Sequence, residues 1–457
     1  MSEQTERVPH SVRLDQEKCV GCTTCIKKCP TEAIRVRKGK ANILSERCID
    51  CGECIRTCPH GAKRAVSDPL SIIDGYRIKV AIPAPTLYSQ YDEGRSVDRV
   101  LSGLLELGFD EIFEVAEAAE IVTAATKELL ARNSASSESA EPASGGLRAG
   151  NARALPSLPR PIISTACPAV VRLVQLRFPS LIPHLAPLIP PMEAAARIAK
   201  DRLHQGEEGV GAFFITPCAG KVTVTREPLG YARSALDGVI GLRDIYLPLR
   251  AAMAKAPERK LARAGRKGLE WARAEGECDA LGEQRSISVD GISNVIGVLE
   301  ALENGKIGEL EYIEALACPA GCLGGPLTVE NPYIAKTRLR GREESAPEAL
   351  SSPRGYEPPT LDELRWTESI KPRNALVLDK DMIKAMVMME EIEVRAEGLP
   401  GLDCGSCGAP SCRALAEDIV RGIAVESDCV FKLRDKVRAL AKELMALEEI
   451  QPPGLDR

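Results

Sequence analysis

Eight cysteines in two matching runs constrain this chain more than any other feature. Residues 19–34 read CVGCTTCIKKCPTEAI and residues 48–63 read CIDCGECIRTCPHGAK, an internal repeat. Each run fits C-x2-C-x2-C-x3-C-P. Three closely spaced cysteines wrap the backbone around three corners of one iron–sulfur cube, and the fourth lies too far along the chain for that cube and serves the other. The spacing therefore predicts two 4Fe–4S clusters. One is assigned to Cys19, Cys22, Cys25 and Cys58, the other to Cys48, Cys51, Cys54 and Cys29. Structural zinc sites use two separated pairs of cysteines rather than this triplet followed by Cys-Pro.

The remaining cysteines extend the theme. The chain has 17 in 457 residues, and 16 of them stand in short-spaced or chemically suggestive settings. Dense cysteines in a short secreted chain point to disulfides, whereas a long intracellular chain uses them for metal. Cys278 stands apart, in a polar stretch, and reads as an ordinary free thiol. A formal charge of −5 provides no basic field for nucleic acid. No apolar run reaches the ~18 residues of a membrane span. Residues 1–10 lack the apolar segment of a signal peptide, so the expected location is cytoplasmic.

Beyond the repeat, Arg77 to Pro83 is strand-like. Val97 to Leu107 has apolar residues at helical spacing, Glu111 to Val115 reads as a short strand, and Ala118 to Arg132 reads as a helix. This alternation predicts an α/β domain. Asn133 to Asn151 is rich in Ser and small residues and reads as the start of a flexible insertion over 133–157. Three further strand-like runs, Pro161 to Thr165, Val210 to Thr216 and Glu311 to Ala317, each end at a cysteine-containing turn. Arg340 to Pro372 reads as a linker. Asp379 to Glu397 and Ser427 to Glu448 read as helices. The stripe Val430, Leu433, Val437, Leu440, Leu444 and Leu447 in the second is expected to pack on its own domain rather than form a dimer seam.

The three strand-end turns hold four cysteines. Cys167 lies in STACP (164–168), Cys218 in TPCAGK (216–221), and Cys318 and Cys322 in ACPAGCLGGP (317–326). Four thiolates are what one cube needs, and the glycines around Cys322 allow close backbone approach. Each cysteine taken alone is more simply a buried residue at a strand end. Together the turns resemble the three signature motifs of the catalytic domain of iron–iron (FeFe) hydrogenases, in the same order. LGFDEIF (107–113), FPSLIPH (178–184) and LDGVI (236–240) also have counterparts there. The resemblance covers about residues 1–335.

The resemblance implies a hydrogenase-like α/β catalytic domain with two parallel-sheet lobes, preceded by an α+β bacterial ferredoxin-like domain. It implies that Cys167, Cys218, Cys318 and Cys322 hold a 4Fe–4S cube and that Cys322 also bridges to a two-iron subsite bearing carbon monoxide, cyanide and a dithiolate. Lys221 would bond a cyanide and Pro217 would shape the pocket. The implied chemistry is heterolytic H2 oxidation and proton reduction, performed by the cofactor and oriented by the protein. Three positions depart from the family pattern. A proton-relaying cysteine is replaced by Ala166, and two pocket methionines by Thr216 and Leu316. These departures resemble the sensory branch and imply low turnover.

Cys404, Cys407, Cys412 and Cys429 suit a further cube in a small, mainly α segment that is similar to four-cysteine 4Fe–4S domains. Zinc is the alternative, because C-x2-C is also a zinc spacing. The expected layout is 1–75 ferredoxin-like, 76–339 catalytic, 340–378 linker and 379–457 terminal iron–sulfur domain. Expected partners are H2 and protons, a redox partner such as a ferredoxin or a signalling protein, and the hydrogenase maturation enzymes. The competing reading is a non-catalytic electron-transfer or cluster-assembly protein that lacks the two-iron subsite.

Overall fold

The computed structural model describes residues 10–92, 96–138, 158–350 and 354–448. The chain forms two compact units. The first comprises Met1–Arg13, Ile49–Gly52 and Arg64–Arg373, and the second Leu14–Cys48, Glu53–Lys63 and Asn374–Arg457.

The first unit is built on two parallel sheets. Strands β1 (Ile78–Pro83), β2 (Glu111–Ile112), β3 (Ile162–Ile163), β4 (Val210–Thr216), β5 (Gly238–Gly241), β6 (Ser286–Asp290) and β7 (Tyr312–Leu316) supply them. The four-stranded sheet has the order β2-β1-β4-β5, and the three-stranded sheet β6-β7-β3. Register places Pro83 beside Ile215, Thr216 beside Gly241, and Asp290 beside Leu316. Both faces of the larger sheet are covered, so its central strand β4 is almost continuously apolar rather than alternating. Ile82, Phe214 and Val239 enter one core, and Ala81, Phe213 and Ile240 the other.

Helices cover the sheets: α1 (Val97–Glu106), α2 (Val115–Glu138), α3 (Pro168–Arg177), α4 (Ala219–Arg226) and α5 (Leu242–Lys255). The Ser96 hydroxyl caps α1 by accepting from the Arg99 amide, and its stripe of Val100, Leu101 and Leu104 is buried. Helix α2 is longer at both ends than the sequence suggests. The strand before it covers only two residues, and residues 133–138, expected in the insertion, continue the helix. Asn133 then ties across the insertion, donating to the Leu158 carbonyl at 3.1 Å and accepting from its amide at 2.8 Å. The rest of that insertion, 139–157, lies outside the described residues.

The stretch expected to be a linker is partly structured. A helix over Pro332–Ser345 runs into it, and Thr360 and Glu363 form a capping box on Leu361–Leu364. Leu361 and Leu364 join the core of the first unit, each 2% exposed. A few well-placed apolar residues fix this segment despite its polar composition.

In the second unit, Ile34–Arg37 and Lys40–Ile43 form an antiparallel hairpin. Helices α6 (Met382–Gly398), α7 (Cys412–Val420) and α8 (Val430–Glu448) complete it. Ile392, Leu399 and Leu415 form a small core with Cys429. The stripe on α8 does not pack as expected: Val430, Leu433, Val437, Leu440, Leu444 and Leu447 are all at least 45% exposed. Among the described residues, no helix is long and apolar enough to cross a membrane.

Candidate functional site

Parallel sheets present ligand sites at the carboxyl ends of their strands. Here β3, β4 and β7 each run into a cysteine-bearing turn. Cys167 and Cys218 occupy the N-cap positions of α3 and α4, with no side-chain hydrogen bond to either helix. Cys318 precedes a tight turn over Gly321–Gly324 and Cys322 lies within it, with Ala320 and Gly321 both in the left-handed region. The Pro217 carbonyl accepts from the Leu327 amide at 3.0 Å. A Cβ on Gly325 would lie 2.3 Å from that carbonyl oxygen, so glycine is what lets the two turns touch.

These turns bring the four thiols within electrostatic reach of one another. Burial raises the Cys218 thiol, the charges of Cys318, Cys167 and Cys322 push the same way, and Lys221 opposes them. Cys322 is raised by burial as well, again against Lys221. Four thiols this close together, on an all-sulfur set, suit an iron–sulfur cube or zinc that compensates their charge. The residues therefore fit such a group.

Beside Cys322 opens a cavity of about 560 Å³. Ala166, Pro217, Lys221 and Leu316 line it, but Thr216 does not. Thr216 is fully buried and its hydroxyl accepts from the Cys218 amide at 3.1 Å, fixing the turn instead of the pocket. Lys221 is partly buried, with its ammonium 5.8 Å from the centre of the Phe214 ring.

Glu277 and Glu314 also line the cavity, and sequence reasoning missed both. Glu277 accepts from the Ser164 hydroxyl at 2.7 Å and the Tyr312 hydroxyl at 2.6 Å. Burial holds its carboxyl above the usual range against both bonds, and burial pushes Glu314 up to about 8. One signal was readable: Glu314 interrupts an otherwise apolar buried strand, YIEAL. Glu277 had only its neighbour Cys278, which is half-buried rather than sitting in a polar surface stretch. Burial, followed by the Glu314 charge, pushes that thiol up to about 12.

A model of the iron-only hydrogenase large subunit, C-terminal domain, matches residues 77–257 and 249–326, more than half of the chain. The chain belongs to the iron-only hydrogenase family. Two solved chains of an FeFe-hydrogenase from Chlamydomonas reinhardtii, one of them an apo form, share 16% identity with this member. Each comparison covers 66% of this chain and 94% of the algal one, at a TM-score of 0.48. No curated protein matches.

This hydrogenase-family chain carries the other cysteine groups as well. A 4Fe-4S dicluster domain model matches residues 11–59, and an Fe–S cluster model matches 399–431. In the second unit, Cys19, Cys22, Cys25 and Cys58 line one cavity of about 330 Å³. The Ala41 amide donates to the Cys19 sulfur at 3.4 Å and the Ala62 amide to Cys58 at 3.3 Å. Cys29 accepts from the Ala33 amide at 3.2 Å, and Cys48 and Cys54 are buried. Cys404, Cys407, Cys412 and Cys429 line a third cavity of about 310 Å³.

Cys51 lies in the 49–52 segment of the first unit, beside Asp50. Asp50 accepts from the Ser11 and Val12 amides at 3.0 and 3.1 Å, and from the Thr223 hydroxyl at 2.9 Å. Arg172 stands 3.6 Å from the same carboxylate. This segment is thereby tied to α3 and α4, the helices that start at Cys167 and Cys218.

Proposed function

We propose that Cys167, Cys218, Cys318 and Cys322 hold a 4Fe–4S cube, and that Cys322 also bridges to a two-iron subsite carrying carbon monoxide, cyanide and a dithiolate. The observation carrying this reading is that Lys221, Pro217 and Cys322 face one cavity next to four converging thiols. When bound, such a group supplies an open metal position and an internal base for splitting H2 heterolytically. Lys221 provides a fixed cation for an anionic ligand, and Pro217 and Leu316 close the walls. Ala166 has no proton to give. Glu277 and Glu314 are the carboxyls facing the cavity; burial raises both, Glu314 to about 8, which suits it to carry a proton.

The function is therefore H2 oxidation and proton reduction at low turnover, used for sensing H2 or redox state. Electrons are relayed by two N-terminal 4Fe–4S clusters, on Cys19, Cys22, Cys25 and Cys58 and on Cys48, Cys51, Cys54 and Cys29, and by a terminal cube on Cys404, Cys407, Cys412 and Cys429. The proposed layout is 1–75, 76–339, 340–378 and 379–457. A ferredoxin or signalling protein would exchange the electrons, maturation enzymes would supply the subsite, and the setting would be the cytoplasm.

Infrared spectroscopy of the chain loaded with the two-iron group tests the proposal. Bound carbonyl and cyanide bands should appear, and Cys322→Ser should remove them. A fully iron-loaded protein without those bands would instead favour a non-catalytic electron-transfer or cluster-assembly role.

A further inference from the structure

The terminal cysteine segment is bonded to the 34–43 hairpin within the second unit. The Val36 amide donates to the Gly408 carbonyl at 2.8 Å. Arg37 donates to the Cys407 carbonyl at 2.7 Å, and Lys27 to the Pro410 carbonyl at 3.3 Å. Gly408 has a φ of +82°, and a Cβ there would lie 1.8 Å from the Val36 carbonyl oxygen. Only glycine lets the two backbones meet in this way.

Charge fixes the same contact. Arg35 Nε donates to both oxygens of Asp418, at 3.1 and 2.8 Å, and Arg37 reaches Asp418 at 2.7 Å. The side chains of Arg35 and Asp418 are 5% and 6% exposed. Arg47 pairs with Glu417 alongside. Buried ion pairs add little net stability but penalise any displaced arrangement heavily, so they set registry.

Val36 also lines the cavity ringed by Cys19, Cys22, Cys25 and Cys58. Gly408 directly follows Cys407, which lines the cavity of the terminal cysteines. The Val36–Gly408 hydrogen bond thus joins a residue lining one thiol ring to the chain neighbour of a residue lining the other.

We infer that the terminal cube exchanges single electrons directly with the cube on Cys19, Cys22, Cys25 and Cys58, across the Val36–Gly408 contact. The inference rests on the proposed reading that both rings hold 4Fe–4S cubes. One cube loses an electron and the other gains it. No bond forms or breaks and no proton moves, and a low-potential one-electron donor supplies the first electron. The terminal segment is then a station on the relay, with Arg35, Arg37 and Asp418 as positioning residues.

The test uses the full chain, reconstituted anaerobically with iron and sulfide and reduced stepwise under electron paramagnetic resonance. Metal analysis comes first: zinc, or no iron, in the terminal ring removes the redox partner and overturns the inference along with the reading beneath it. With both cubes present, the fully reduced protein should show spin–spin coupling between them. Cys404→Ser should abolish the coupling and leave the N-terminal signals intact. Gly408→Val and Asp418→Ala should keep the terminal iron but lose the coupling. Should either lose its iron through misfolding, Arg35→Lys, which keeps the charge but not the paired geometry, should weaken the coupling with iron retained. Two independent signals in the reduced wild-type chain, or unchanged coupling in the variants that retain iron, would overturn the inference while leaving the cluster assignments standing.

Discussion

The Tyr312 hydroxyl donates to Glu277 at 2.6 Å, from the first residue of β7 to a carboxyl in the cavity beside Cys322. Ser164 satisfies the other oxygen at 2.7 Å. The carboxyl is thus oriented on two sides and held above its usual titration range by burial. If it serves proton transfer, Glu277→Gln keeps the shape and removes the function. H2 turnover of the loaded chain should fall by roughly 10²–10⁴-fold, the usual worth of a positioned acid or base. The carbonyl and cyanide infrared bands should stay. Unchanged turnover would move the proton route elsewhere.

Ala166 faces the same cavity and cannot relay a proton. Replacing it with a titratable thiol, Ala166→Cys, should raise H2 turnover, by up to about 10²-fold for a newly placed general acid. An assay of hydrogen evolution from a chemical reductant reads the gain. A wild-type chain that already matches prototypical hydrogenases would rule out the sensory reading.

Legibility in the sequence followed distance along the chain. Thiol spacing is local, so the two N-terminal runs could be read directly, whereas the three distant strand-end turns were joined by their resemblance to the FeFe-hydrogenase motifs. Val210–Thr216 matched the strand observed, because a parallel strand buried on both faces is continuously apolar. Ser164, Glu277 and Tyr312 come from separate segments, and nothing local marks them as partners. Thr216 was expected in the pocket but spends its hydroxyl on the Cys218 amide, an orientation no spacing specifies. Leu361 and Leu364 sit in a polar stretch, and only tertiary contacts reveal that they are core. The stripe on α8 shows the converse: a clean apolar period that stays exposed among the described residues.

Asp50 holds the 49–52 segment against α3 and α4, and its partner Arg172 is 1% exposed. Asp50→Ala would leave a buried guanidinium with Glu227, at 2.8 Å, as its one acidic partner among the described residues. Breaking one side of such a pair costs about 3–5 kcal/mol. Thr223→Val removes the hydroxyl that donates to the same carboxylate and accepts from the Ser11 amide at 3.0 Å, and should cost about 2 kcal/mol. Urea midpoints of the full chain should fall in that order. Equal midpoints for the two variants would mean that Asp50 contributes nothing beyond its bond to Thr223.

Glu114 gives the pH dependence of stability a definite sign. Its carboxylate is buried, accepts from the Tyr88 hydroxyl at 2.8 Å and from the Arg263 amide at 2.7 Å, and lies near Glu117. Burial, then the Glu117 charge, pushes it from 4.5 up to about 7. The folded chain therefore holds this proton where the unfolded chain has released it. Stability from this group is complete below pH 4.5 and is lost as pH rises through about 7. The loss amounts to roughly 3 kcal/mol at most, at 1.36 kcal/mol per pKa unit. Glu114→Gln should flatten that part of the curve and leave the variant the flatter of the two between pH 5 and pH 8 by thermal unfolding. A wild-type curve that rises over this interval, with the variant parallel to it, would show that Glu114 is ionised in the folded state throughout.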